Sequence, residues 1–342
     1  MKIIVFNFET NQNSQALGFA IDWINALSHY VEKLYVVSLR CGEFNVNSNV
    51  EVFCVEQNVK NKIQTVLSIV KVLYKIHRQD TISGYFVHMA HYFVPIIYPF
   101  ACVFKQKIIL WYAHQATPLT LKIANILADK VLSSTPNGYN LQTNKLEIVG
   151  QGIDTERFFF KELSYPKIKH LVVVGRISKV KNVDMIIRVF CELQVEGVFL
   201  HIVGDAITLK DKQYLEIIKE NIPQNMKEKV LFKGALPFAE LPSFYAMMDL
   251  AINLSDTGSL DKAILEPMSM GIPILTSNLS AVALFDHLKN NGIFLVDKKE
   301  DFKKILQYIV NHPISFDRVP LREEIISHHS LDKLAQKIIR AF

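Results

Sequence analysis

The chain has 342 residues, 50% of them apolar and 21% charged, with a formal net charge of +5. That length is more than one ordinary core can organise and predicts two domains, and the composition excludes a disordered chain. The mild positive charge comes without any Lys/Arg run resembling a binding tail, so no nucleic-acid partner is expected.

From the N-terminus, strand and helix patterns alternate. Residues 3–8 read as a buried strand that reaches Glu9 too soon for a signal peptide. A polar loop (9–15) leads to an amphipathic helix over about 17–30, with Phe19, Trp23, Ile24 and Leu27 on its apolar side. Strands follow at 34–38 and 50–55, then a helix over 63–77 with Val66, Leu67, Val70 and Leu73 facing inward and Lys71 and Lys75 outward. Strands at 84–88 and 107–112 flank a Pro-containing helical segment. The apolar run there, 92–104, is well short of the roughly 20 residues that a membrane-spanning helix needs. Thr117 and Pro118 suit the cap and first position of a helix over 118–128, and 130–134 is a strand. Residues 159–169, with mixed charge and Pro166, read as an interdomain linker.

A second alternation begins at His170, with strands at 171–174, 199–204, 230–234, 249–254, 274–276 and 293–296. The intervening helices fall at about 183–193, 209–221, 240–247 and 302–310, and a last helix at 331–340. Apolar strands alternating with helices predict parallel, doubly wound α/β sheets. The four cysteines are scattered in apolar runs and read as buried free thiols in a reducing cytoplasm. His88 and His91 have a ligand-like spacing but no acidic or Cys company, so no metal site is expected.

Chemistry in such sheets collects at the carboxyl ends of strands. After residues 249–254 comes a polar loop, Ser255-Asp-Thr-Gly258, and then a helix that Gly258 or Ser259 can cap, with Asp261 in the first turn and Gly271 at the end. Ser259, Lys262 and Glu266 share one face of it. A strand, loop and helix in that order present backbone N–H groups to an anion. From the residues alone, Lys262 and Glu266 fit an ion pair on a solvated face as well as they fit a ligand contact. Arg176 and Lys181 follow another strand, five residues apart. Arg can hold a diphosphate bidentately and Lys as a point charge, although two solvated loop cations are the simpler reading. His114 lies just past strand 107–112, where a hydrogen-bonded loop histidine is an equally ordinary role. Residues 57–128 hold eight Lys or Arg and one acid, Asp80, beside the apolar 92–104 segment. That balance suits docking on an anionic membrane surface and suits an ordinary solvated face equally.

Taken together, these stretches resemble glycosyltransferase family four. "LDKAILEPMSMGIPILTS" is similar to that family's donor-binding helix, with Glu266 at the second Glu of its pattern and Gly258 where the first Glu would stand. Thr257 to Lys262 reads as the Thr-Gly-Ser-x-Asp-Lys form of a subgroup. Gly-Arg-x-Ser-x-x-Lys, ending at Lys181, resembles the phosphate-binding motif, and Val203-Gly-Asp205 and Val230 to Gly234 resemble the next two landmarks. Gln151 stands at the Asn of the "Asn-Gly-Val-Asp" segment, and Gly18 is the single glycine where an acceptor loop is expected.

The resemblance implies a GT-B fold, with two Rossmann-like doubly wound α/β domains facing a cleft. The domains would span 1–165 and 166–325, with 326–342 as a helix returning to the first. It implies a retaining hexosyltransferase that needs no metal and no cofactor beyond its UDP- or GDP-linked sugar donor. The acceptor would be a glycan or a lipid-linked acceptor in cell-surface polysaccharide or glycoconjugate synthesis, and the location cytoplasmic or peripheral on the inner face of the plasma membrane. Arg176, Lys181 and His114 would serve catalysis. Glu266, Gly258, Ser259, Thr257 and Lys262 would bind the donor, and Gly18 and Gln151 would line a donor or acceptor loop. The missing first Glu leaves room for a binding-only relative, and a sugar-nucleotide epimerase is a further alternative on the same fold.

Overall fold

The computed structural model describes residues 1–14, 17–55, 61–160, 167–296, 298–312 and 316–342. The chain divides into two compact units, Met1–Asp154 with His329–Phe342, and Thr155–His328. Residues 161–166, the middle of the expected linker and the place of the expected domain boundary, lie outside the described residues.

The first unit is built on seven parallel strands: β1 (Lys2–Thr10), β2 (Lys33–Cys41), β3 (Val50–Cys54), β4 (Gly84–His88), β5 (Lys107–Trp111), β6 (Lys130–Ser133) and β7 (Leu146–Ile148). Their order is β3-β2-β1-β4-β5-β6-β7. Alternation of side chains across a strand divides the core in two. Ile4, Phe6, Tyr85, Val87, Ile108 and Leu110 enter one cluster, and their neighbours Ile3, Val5, Phe86, Ile109 and Trp111 enter the other. On the first face lie α2 (Lys62–Gln79), α3 (Val94–Phe104) and α4 (Leu119–Leu127). On the second lie α1 (Ala20–Ser28) and α12 (Leu331–Arg340), so the last helix completes the first unit. Gly152, at φ +76°, permits this: a Cβ there would stand 2.5 Å from Leu334 and 3.2 Å from the Trp23 ring.

The second unit has six parallel strands: β8 (His170–Val174), β9 (Phe199–Val203), β10 (Val230–Gly234), β11 (Leu250–Asn253), β12 (Ile274–Thr276) and β13 (Ile293–Leu295). Their order is β10-β9-β8-β11-β12-β13. The helices α5 (Val183–Leu193), α6 (Leu209–Glu220) and α10 (Phe302–Asn311) bury Ile186, Phe190, Ile218 and Leu306 in its core. The remaining helices are α7 (Leu241–Tyr245), α8 (Lys262–Ser269), α9 (Leu279–Phe285) and α11 (Val319–Glu324), of which α8 packs on β11 and β12.

Several expectations need correction. Cys41 and Cys54 are not free thiols. They end neighbouring strands β2 and β3 with Cα atoms 5.9 Å apart and form a disulfide, while Cys102 is exposed and Cys191 alone is a buried thiol among the described residues. The helix expected over 63–77 keeps part of its expected inward face: Leu73 is buried and Val70 half-buried, with Lys71 and Lys75 outward. Ile69 and Ile76 join Leu73 in the core, and Val66 and Leu67, expected inside, are exposed with Ile63 and Tyr74. In α4 the N-cap is Pro118 itself, without a side-chain cap, so Thr117 does not play that part.

The carboxyl ends of β8 and β9 approach each other closely. Gly175 and Gly204 have φ of +136° and +135°, Gly175 N–H donates to the Val203 carbonyl at 2.9 Å, and a Cβ on Gly204 would lie 2.0 Å from the Gly175 oxygen. Gly197 also has positive φ (+69°), but nothing lies within 4 Å of its Cβ position. Gly197→Ala should therefore cost about 1 kcal/mol, the backbone strain alone. Gly204→Ala should cost several times as much, on the order of 4 kcal/mol, because a backbone carbonyl must move. Denaturant midpoints of the two variants check this, and equal losses would show that strand approach at Gly204 is not tight.

Candidate functional site

In the second sheet the strand order reverses between β8 and β11, the position where open α/β sheets leave a crevice beyond their carboxyl ends. The loops that follow these two strands hold most of the sequence-derived site residues. After β8 come Gly175, exposed Arg176, buried Ile177 and Ser178, and a single turn at Lys179–Lys181. After β11 come Ser255 to Leu260 and then α8.

Four contacts bind the two loops together. Lys181 Nζ is 2.5 Å from Asp261 Oδ2. Asn182, in the left-handed region at φ +52°, donates to the Leu254 carbonyl at 2.6 Å and to Asp256 Oδ2 at 2.9 Å. The Asp256 N–H donates to the Val180 carbonyl at 2.9 Å. The Asp261 carboxylate also accepts from Asn253 Nδ2 (3.0 Å) and from the Thr257 hydroxyl (3.3 Å). These side-chain duties explain a correction: α8 begins only at Lys262, with Asp261 at its N-cap and no side-chain cap. Gly258 and Ser259 do not cap it, and Ser259 stands before the helix rather than on a shared face with Lys262 and Glu266.

The loop 257–259 is held from behind. Asn278, fully buried after β12, donates to the carbonyls of Thr257 (3.0 Å) and Ser259 (2.9 Å), and Ser280 Oγ donates to that of Gly258 (2.6 Å). In a trans peptide the C=O of one residue and the N–H of the next point oppositely. Drawing the carbonyls of Thr257 and Gly258 toward Asn278 and Ser280 therefore turns the N–H groups of Gly258 and Ser259 the other way. Gly258 is buried and is not among the glycines with positive φ.

Glu266 lies one turn beyond Lys262 in α8 and is only 4% exposed. A pair on a solvated face is therefore not what the fold makes. Burial pushes the Glu266 carboxyl from its ordinary 4.5 up to about 7, with the Lys262 charge pulling the other way. Its charge in turn helps to raise the phenol of fully buried Tyr245. Arg176 is exposed, and its charge contributes to lowering the Asp211 carboxyl, behind the hydrogen bonds Asp211 exchanges with Thr208.

The structure thus brings Arg176, Lys181, Thr257, Gly258, Ser259, Lys262 and Glu266 to the loops and helix beyond one sheet edge of the second unit. His114, Gly18 and Gln151 belong to the first unit. His114 is exposed past β5, and its Nδ1 accepts from the Ala116 N–H at 3.0 Å, so the neutral ring carries its proton on Nε2. Gly18 is buried, its N–H bonded to the Ser14 carbonyl at 3.0 Å ahead of α1. Gln151 lies between Gly150 and Gly152, and Gly152 serves the packing of α12 rather than a ligand's approach. Both ring nitrogens of His91 have protein partners, Met89 and Thr120. Sequence reasoning missed Asn253, Asn278 and Ser280. Asn278 had a signal, since an Asn directly before an apolar helix start is an N-cap pattern, and it does accept from the N–H groups of Ser280 and Ala281. A cavity of about 720 Å³ between α5 and α6, walled by Asp184, Cys191, Tyr214 and Ile218, is lined by none of the site residues.

The two parallel α/β units are the GT-B architecture. A structure of Anabaena Alr3699/HepE, solved with UDP and glucose, superposes with a TM-score of 0.75 over 100% of this chain and 99% of that one, at 16% identity. Residues 168–312, which hold the crevice, match the family model described as Glycosyl transferases group 1. An "Uncharacterized 41.2 kDa protein in cps region" of Klebsiella pneumoniae is 24% identical over 148 residues, 43% of this chain and 37% of that protein. The Arabidopsis thaliana sulfoquinovosyl transferase SQD2 is 24% identical over 206 residues, 56% of this chain and 38% of that protein. The chain thus spans less than two fifths of the length of either curated relative.

Because Glu266 has a folded pKa of about 7 against an ordinary 4.5, the folded chain binds the extra proton between those values. Its contribution to stability is then best below pH 4.5, worsens as pH rises to 7, and levels off above. Glu266→Gln should remove this dependence and raise unfolding free energy at pH 8 by on the order of 3 kcal/mol. Urea titrations at pH 5 and pH 8 test it, and a variant no more stable than the parent at pH 8 would show that the buried carboxylate is well compensated.

Proposed function

We propose that the chain is a retaining, metal-independent glycosyltransferase that moves a sugar from a UDP- or GDP-linked donor to a glycan or lipid-linked acceptor in cell-surface glycan synthesis. The observation that carries this reading is the crevice between the β8 and β11 loops, where two cations and a row of oriented N–H groups lie within the stretch matching Glycosyl transferases group 1. The Anabaena protein's UDP and glucose make UDP-glucose the first donor to try.

In this reading Arg176 grips the diphosphate bidentately and Lys181 turns from Asp261 to its oxygens as negative charge grows on the leaving group. Asp261 keeps Asn253 and Thr257 as partners when Lys181 leaves. The N–H groups of Gly258 and Ser259 face the donor in place of the family's first Glu. Glu266 receives the nucleotide ribose, with Lys262 beside it. The bond from the anomeric carbon to the phosphate oxygen breaks while the acceptor hydroxyl attacks from the same face. The departing phosphate oxygen takes the acceptor's proton. Side-chain cations do the work that a divalent ion does elsewhere.

The test is product analysis with a panel of nucleotide sugars, with and without EDTA. Transfer with retained anomeric configuration in EDTA is expected, while strict dependence on Mg²⁺ or Mn²⁺, or an epimerised donor as sole product, would overturn the proposal. Arg176→Ala and Lys181→Ala should each fold and lower kcat/KM by about 100-fold or more. Full activity in either would remove it from the leaving-group site.

Gly258 distinguishes an enzyme from a binding-only protein. Gly258→Glu would bury a second carboxylate at the donor-sugar position and fill the space the sugar needs. It should weaken nucleotide-sugar binding at least about tenfold and leave nucleoside-diphosphate binding within about twofold, measured by calorimetry. A rise in turnover instead would mark the parent as a relative that lost its catalytic Glu.

A further inference from the structure

The outer side of the three helices α2, α3 and α4, which cover one face of the first sheet, has a composition that the proposed transfer does not use. These helices contain no Asp or Glu. Their buried sides supply Ile69, Leu73, Ile76, Val94, Ile97, Leu121 and Ala124 to the core, so their outward sides are fixed. Outward on α4 stand Leu119 (72% exposed) and Ile126 (72%), one face of the helix two turns apart, with Ile123 and Lys122 between them. At the end of α3 stand Val103 (75%) and Phe104, the latter with its ring stacked on His77 at 4.2 Å, followed by exposed Lys105. Outward on α2 stand Ile63 (73%), Leu67 and Tyr74, interleaved with Lys71, Lys75 and Arg78. The Arg78 guanidinium lies 5.5 Å from the Tyr74 ring, and the Lys75 ammonium 5.0 Å from that of Phe53.

Exposed apolar tips are common one at a time, but a run of them across three adjoining helices marks a contact surface. The charges decide what it contacts. The single acid of the 57–128 stretch, Asp80, lies off these helices and is held by Lys2 and Tyr35. A second copy of the same face would bring like charges together. Asp129, just past α4, is an acid whose carboxylate accepts from the Ile108 N–H. Apolar side chains set among lysines and arginines that outnumber the acids fit a plane that is apolar inside and negative at its surface. We infer that the α2–α4 face of the first unit docks on an anionic lipid bilayer, with Val103, Leu119 and Ile126 entering the interface and Lys71, Lys75, Arg78, Lys105 and Lys122 lying at the headgroups. No helix among the described residues is long and apolar enough to cross a membrane, so the attachment is to one surface. It is independent of whether the second unit transfers a sugar.

Vesicle sedimentation with the full chain tests this, using phosphatidylcholine alone and phosphatidylcholine with 30 mol% phosphatidylglycerol as an assay choice of about one anionic lipid in three. Binding to the anionic vesicles should exceed that to the neutral ones by at least about tenfold and should fall in high salt. Lys71→Gln, Lys75→Gln and Lys122→Gln together should lower it by roughly a hundredfold, at about fivefold per cation. Leu119→Ser with Ile126→Ser should lower it by at least about tenfold while leaving the melting temperature unchanged, since both side chains are already in water. Failure of the parent chain to bind anionic vesicles would overturn the inference. So would binding that neither set of substitutions alters, or a parent that is a dimer in solution and becomes monomeric with Leu119→Ser and Ile126→Ser, which would assign the face to a second copy.

Discussion

The Asp261 carboxylate is the point on which the second unit's crevice depends. It holds Lys181 from the loop after β8, Asn253 from the end of β11 and Thr257 from the loop after it, and it stands at the head of α8. Two strands that reverse direction in the sheet order leave a gap between their loops, and something must fix the width of that gap. Here a charge-assisted contact does so from one side, and Asn182, bonded to Leu254 and Asp256, does so from the other. Asn278 and Ser280 complete the frame by holding three consecutive carbonyls. The result is a loop whose Gly258 and Ser259 N–H groups have their directions set by its own side-chain contacts.

Glu266 shows the other side of such an arrangement. Its burial raises its pKa toward neutrality and costs stability whenever it is ionised. Such a group, in a helix that also buries Ile264, Leu265 and Met268, works against the fold unless a partner replaces its lost water.

Much of the architecture is legible in the sequence because parallel strands are apolar on both faces and stand out as runs. The strands expected at 84–88, 199–204, 230–234 and 274–276 fall within a residue of β4, β9, β10 and β12. Helix faces and starts were less legible. In α2 the apolar residues surround the helix, so periodicity alone could not choose which neighbours join Leu73 on the buried side; contact with the sheet chose Ile69 and Ile76 over Val66 and Leu67. The start of α8 was misplaced because the carbonyls of Gly258 and Ser259 are bonded to Ser280 and Asn278, which keeps these two residues in the loop ahead of the helix. The disulfide joins cysteines thirteen positions apart whose proximity depends on β2–β3 pairing, which spacing does not reveal. Within the site, the positions of Arg176, Lys181 and Glu266 were legible from motif, while the frame of Asn253, Asn278 and Ser280 is tertiary.

The return of α12 to the first unit has a consequence for biosynthesis. Trp23, Ile24, Ile109 and Trp111 share a cluster with Leu334 and Ile338, which are translated only after residues 155–328 have been added. At ordinary elongation rates that interval lasts roughly 10 to 30 s. During it one side of the nascent sheet lacks its α12 cover and leaves aromatic surface available to chaperones or to misassociation, until α12 leaves the ribosome. The second unit, continuous in sequence, faces no such wait, so the unit that is made first is the one that matures last.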